Sequence, residues 1–187
     1  MPDHPEHRPV LAGKAASQGP GIRLAPLPEG HLLHLMGAID AEDLAGRLRV
    51  AGLGASTIRS AGYRQWFIAG DDVLPPSRIA ALSSALQASA FVSDQSHGRV
   101  RIGLSGPQAA ELLTRGTAVD LHPSAFPEGR SAVTLFGHIS LQLTRTGADS
   151  FELTVLRSFA ESLYEELEAL AASLDASHPP AANPSAK

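Results

Sequence analysis

Two periods run through the hydrophobic positions of this chain. In residues 100–105, Val100, Ile102 and Leu104 alternate with Arg101, Gly103 and Ser105, the pattern of a strand with one buried face. Phe151, Leu153 and Val155 alternate in the same way. Residues 21–26 and 31–36 predict strands, and residues 55–60 and 63–69, separated by Ala61-Gly62, predict a hairpin. Phe91 and Val92 lead into a short strand, and residues 132–146 predict two strands or one bent at Gly137. Between these runs the period lengthens to that of a helix. Asp40, with Asp43 three residues on, opens a helix carrying Leu44 and Leu48. Pro75-Pro76 launches a second, with Ile79, Leu82 and Leu86 along one stripe. Gly106-Pro107 starts a third, with Leu112 and Leu113, which Arg115-Gly116 ends. Ser158 and Glu161 form an S-x-x-E capping box before Phe159, Leu163, Leu167, Leu170 and Leu174.

The elements repeat. Residues 37–44 and 106–113 coincide at Gly37/Gly106, Ala41/Ala110, Glu42/Glu111 and Leu44/Leu113. Both halves read strand, glycine, helix, strand pair, second helix. The predicted fold class is α+β: two similar small modules, residues 21–98 and 99–175, each a mainly antiparallel sheet with two helices. Such modules bury little surface alone, so they are expected to pack as one body. Residues 1–20, rich in Pro, His, Gly and Ala, read as a flexible leader, and 176–187, ASHPPAANPSAK, as a disordered tail.

Composition removes several function classes. The net charge is −4 and no block of Lys or Arg occurs, so nucleic acid is not an expected partner. The longest apolar runs fall short of a membrane span, and the N-terminus has no signal-peptide core. Without cysteine there is no disulfide, thiolate zinc site or cysteine nucleophile. A cytoplasmic protein is the economical expectation.

Little catalytic chemistry stands out. His4 and His7 have no further ligand nearby, and His31 and His34 fall on opposite faces of a strand, so no metal site is predicted. Gly103 to Gly106 offers backbone amides to an anion, but Pro107 removes a donor, and a structural turn is the preferred reading. Asp120 and His122 could form an acid–base couple, or a turn whose aspartate satisfies backbone amides, and the turn is preferred. Trp66 reads as a core or interface anchor, since no basic or aromatic neighbours accompany it. Arg157, before a helix start, is electrostatically unfavourable there, which points to an external acidic partner. No catalytic, cofactor-binding or metal residue is assigned.

The segments SGPQAAELL (105–113), DLHPSAFPEG (120–129) and RSFAESLYEEL (157–167) resemble the gamma subunit of heterotetrameric sarcosine oxidase, a relative of the folate-dependent aminomethyltransferase of glycine cleavage. The resemblance covers residues 60–172 and implies an aminomethyltransferase-like fold. The aminomethyltransferases carry an aspartate pair in a pattern like G-I-I-D-D-L-I-V-Y-R. Aligned through Leu141 and Arg145, that pair falls on Ile139 and Ser140, which implies a kept scaffold without its acid. By this resemblance the chain is a non-catalytic gamma subunit, with alpha, beta and delta subunits as partners. FAD, FMN, NAD and the tetrahydrofolate pocket would lie on the other chains, with zinc on delta. Such a complex demethylates sarcosine to glycine oxidatively. Trp66, Asp120, His122, Phe126, Pro127 and Arg157 are the candidate partner contacts, with Phe126, Pro127 and Trp66 expected to be exposed. The alternatives are a stand-alone folate-binding protein or one-carbon transferase, and an orphan structural module.

Overall fold

The computed structural model describes residues 8–19 and 21–177. The predicted leader at 1–7 and 20, including His4 and His7, and the tail at 178–187 lie outside these residues. Residues 176 and 177 are helical.

The first strands are β1 (Ser17–Gln18), β2 (Arg23–Pro26) and β3 (His31–Gly37). Helix α1 (Ala41–Val50) follows, with Asp40 as N-cap accepting from the Asp43 amide at 2.8 Å, as the sequence predicts. The hairpin is β4 (Thr57–Gly62) and β5 (Gln65–Gly70). Next come α2 (Pro76–Leu86), β6 (Ala90–Asp94), β7 (Arg99–Ser105) and the short α3 (Ala109–Thr114). Strands β8 (Ser131–Phe136), β9 (Ile139–Gly147) and β10 (Ser150–Leu156) form a meander before α4 (Ala160–Ser177).

All strand pairs are antiparallel and fall into two sheets, β4-β5-β3-β6 and β1-β2-β7-β10-β9-β8. The first is a β-α-β-β-α-β unit with α1 and α2 over one face. The second has α3 and α4 over one face. The expected equivalence of the halves holds for strand, glycine, helix and hairpin, then ends. The first half continues helix then strand, the second strand then helix.

Gly37 and Gly106, the matched pair of the repeat, have one reason to be glycine. A Cβ on Gly37 would lie 2.2 Å from the Ser89 carbonyl oxygen, and one on Gly106 would lie 2.4 Å from that of Gly21. Gly106 also has φ +118, a region that disfavours side chains.

Three expectations are corrected. Strand β2 (with β1) belongs to the sheet of the second module, paired to β7, and residues 8–19 are not a loose leader. Leu11 is buried in that sheet's core, Lys14 Nζ lies 3.1 Å from Glu168, and the Tyr164 hydroxyl donates to the Ala15 carbonyl at 3.0 Å. At the last helix the capping box does not form. Ser158 sits inside a 3-10 turn, Arg157–Phe159, that no side chain caps, and Phe159 is 45% exposed. The stripe that packs is Ala160, Leu163, Tyr164, Leu167, Ala171 and Leu174, and the α-helix begins at Ala160, one residue later than an N-cap at Ser158 implies. Each fully buried leucine contributes about 1.5–3 kcal/mol. No helix among the described residues is long and apolar enough to cross a membrane.

Candidate functional site

Each sheet has a helix side and a side that faces the other sheet. On β7 and β10 the helix side carries Val100, Ile102, Leu104, Phe151, Leu153 and Val155. The alternate residues, Arg99, Arg101, Glu152 and Thr154, point at the opposite sheet, where the sequence pattern alone suggests water. Arg59, on β4, reaches across and holds Glu152 in a two-pronged pair, with Nη2 to Oε2 at 2.8 Å. Arg59 is 4% exposed and Glu152 5%. Arg101 Nη1 lies 3.8 Å from the same carboxylate, while its Nη2 donates to Asp71 and to the Pro28 carbonyl. Gln142 Nε2, on β9, donates to the Ser60 carbonyl on β4 at 2.8 Å. The sheets are thus joined by paired charges and side-chain-to-backbone bonds, beside a small apolar patch of Leu32, Phe67 and Ala69 on the four-stranded sheet. A two-pronged arginine–carboxylate pair sets both distance and orientation.

At one end of this layer lies Arg99, its guanidinium 5.0 Å from the Phe67 ring centroid. The His34 ring is 4.7 Å from the same ring, and His34 Nε2 meets Gln65 Oε1 at 3.0 Å. Burial lowers the His34 pKa below its ordinary value; the Gln65 bond opposes this and the Arg99 charge adds to it. Burial also lowers that of Arg99. Sequence reasoning passed over Arg59, Arg99, Arg101 and Glu152. The available signal was the placing of three arginines and a glutamate at alternate positions of otherwise apolar strands.

The six candidate contacts do not converge. Trp66 is half-buried on the helix side of the four-stranded sheet, its Nε1 donating to the Ile39 carbonyl at 3.2 Å. Asp120, His122 and Pro127 are exposed on the loop between α3 and β8. The Asp120 carboxylate accepts from the His122 backbone amide at 2.9 Å, the Asx-type turn preferred above, and the imidazole Nδ1 meets Ser124 Oγ at 2.7 Å. Phe126 is 3% exposed and belongs to the core, so the expected exposure of its ring is corrected. It anchors the loop inward while Arg145 donates to the Leu121 carbonyl. Arg157 pairs with Glu29 at 3.3 Å and donates to the Arg8 carbonyl at 2.9 Å, so an internal carboxylate answers the charge that pointed to an external one.

Ile139 lies in the helix-side core, 2% exposed, and Ser140 is exposed on the opposite face of β9. No group of three or more metal-binding side chains occurs among the described residues.

The fold resembles two solved proteins. A chain of the heterotetrameric sarcosine oxidase from Corynebacterium sp. U-96, in complex with pyrrole 2-carboxylate, superposes with TM-score 0.75 and 24% identity, over 89% of this chain and 95% of that one. The glycine cleavage system aminomethyltransferase T from Bartonella henselae superposes with TM-score 0.55 and 17% identity, over 79% of this chain and 45% of that one. At those identities the likeness is one of fold. In sequence, the sarcosine oxidase subunit gamma of Corynebacterium sp. (strain U-96) is 31% identical over 143 residues, covering 75% of this chain and 68% of that protein. The model of the sarcosine oxidase, gamma subunit family matches residues 76–173. Fold, relative and family model agree, and the chain belongs to the sarcosine oxidase gamma subunit family.

Proposed function

We propose that this chain is the gamma subunit of a heterotetrameric sarcosine oxidase and works by adhesion, stabilising the subunits that carry the chemistry. The observation that carries this reading is the 31% identity to a sarcosine oxidase subunit gamma across 75% of the chain. The lack of an acid at Ile139 and Ser140 supports a role without one-carbon chemistry of its own. In this reading FAD, FMN, NAD and tetrahydrofolate belong to the alpha and beta partners and zinc to the delta partner, and the complex converts sarcosine to glycine. Co-expression of the full chain with its partner subunits should give one complex on size exclusion. Elution of this chain alone, at its monomer volume, overturns the reading.

The likeness to the aminomethyltransferase fold favours one other reading, a folate-binding protein that acts alone. Calorimetry of the full chain with tetrahydrofolate separates the two. The gamma-subunit reading expects no stoichiometric heat, and tight one-to-one binding favours the alternative.

A further inference from the structure

The sheet–sheet layer is balanced in charge at one end and not at the other. Arg59 and Arg101 have Glu152 and Asp71. Arg99, two residues earlier on the same face of β7, has no carboxylate at ion-pair distance and no side-chain hydrogen bond to any described residue. Its Nε is buried without a partner. The Phe67 ring offers only a cation–π contact, which replaces part of the lost hydration. Around this cation polar side chains, among them His34, Gln65, Ser93 and Ser96, alternate with exposed apolar ones. Leu156, the register partner of Arg99 on β10, is 40% exposed. Beyond Phe67 and His34 on the facing sheet, Met36 is 38% exposed and its cross-strand neighbour Phe91 is 66% exposed. Exposed apolar side chains on both sheets, flanking a half-buried guanidinium with no ion-pair partner among the described residues, suit a partner surface that is apolar at its edges and anionic at its centre.

We infer that this end of the sheet–sheet layer is where a partner subunit docks, seating an Asp or Glu carboxylate on the Arg99 guanidinium and apolar side chains against Phe91, Met36 and Leu156. The planar fork of arginine suits a carboxylate, and its weak hydration makes it the cation best suited to burial in an interface. The free chain bears an unpaired cation here, and assembly supplies the missing anion. The inference rests on the gamma-subunit reading, and the experiment keeps the two apart.

The full chain and its Arg99→Gln, Arg99→Lys and Phe91→Ser variants are co-expressed with the partner subunits, and the dissociation constant of the gamma chain is measured. The expected result is a loss of about 30-fold or more for Arg99→Gln, because the partner's carboxylate is left buried and unpaired. Arg99→Lys should recover part of that loss, and Phe91→Ser should weaken assembly by about tenfold. The free Arg99→Gln chain should melt at or above the wild-type temperature, since it loses an uncompensated charge; a purely structural arginine would lower it. Wild-type affinity for Arg99→Gln, in a complex that otherwise assembles, overturns the docking inference and leaves the subunit reading standing. Failure of the wild-type chain to assemble overturns both. A self-dimer of the chain that Arg99→Gln dissociates overturns the inference in favour of a second copy. Should Arg99→Gln not fold, Phe91→Ser decides, and wild-type affinity there overturns the inference.

Discussion

Along β7 and β10 the helix side presents Val100, Ile102, Leu153 and Val155, while the side toward the other sheet presents Arg99, Arg101, Glu152 and Thr154. Both sides are largely removed from water, yet they are held by different means. The helix side is cohesive without direction, since leucines and valines pack in whatever order fills the space. The sheet–sheet side is directional, because Arg59 and Glu152 satisfy each other in one geometry only. The first kind of surface supplies most of the stability. The second selects one register of sheet on sheet, at the cost of desolvating charges that must stay paired.

Glu152→Gln is the most severe way to break this contrast. It keeps the shape and leaves Arg59 buried without its countercharge, with an expected loss of about 3–5 kcal/mol in denaturant unfolding. The double change Arg59→Met with Glu152→Leu removes the charges together, and it should recover most of that loss. A double variant as unstable as the single one would mean that the pair contributes net energy as well as register.

The helix side is probed by Leu163→Ala, at a fully buried position of α4. The expected cost is about 2–5 kcal/mol, read by thermal or urea unfolding. Its effect should add to that of the double charge variant, because the two sites lie on opposite sides of the six-stranded sheet and share no partner.

The smallest effect concerns pH. Burial holds the His34 imidazole below its ordinary value in the folded chain. As pH falls through about 6.5 the unfolded chain takes up the proton first, so stability is full above that value and declines below it. His34→Gln should flatten the dependence of the melting temperature on pH between about 7 and 5.5. An unchanged slope would show that other groups carry it.

Much of the architecture was legible in residue order. The alternation in residues 100–105 and 151–155, the Asp40 cap and the paired glycines at 37 and 106 each report a local constraint that neighbouring residues satisfy. The Ser158 box was misleading because a 3-10 turn there competes with the α-helical start, and tertiary packing chose the turn. Phe126 reads from the sequence as a loop aromatic, and only the folded loop shows its ring turned inward into the core that also holds Leu121.

The sequence by itself determined which residues share a face, because a strand alternates every two residues and a helix returns every three or four. It also determined the family, through the motifs around residues 105–113, 120–129 and 157–167. What each face meets was decided only by the tertiary structure. Strand β2 could have paired in either sheet, and the polar side of β7 and β10 could have met water; instead a second sheet covers it and makes its arginines and Glu152 interior. Pairing across 93 residues, as between Arg59 and Glu152, leaves no trace in a local pattern, since both partners look like the solvent side of an ordinary amphipathic strand.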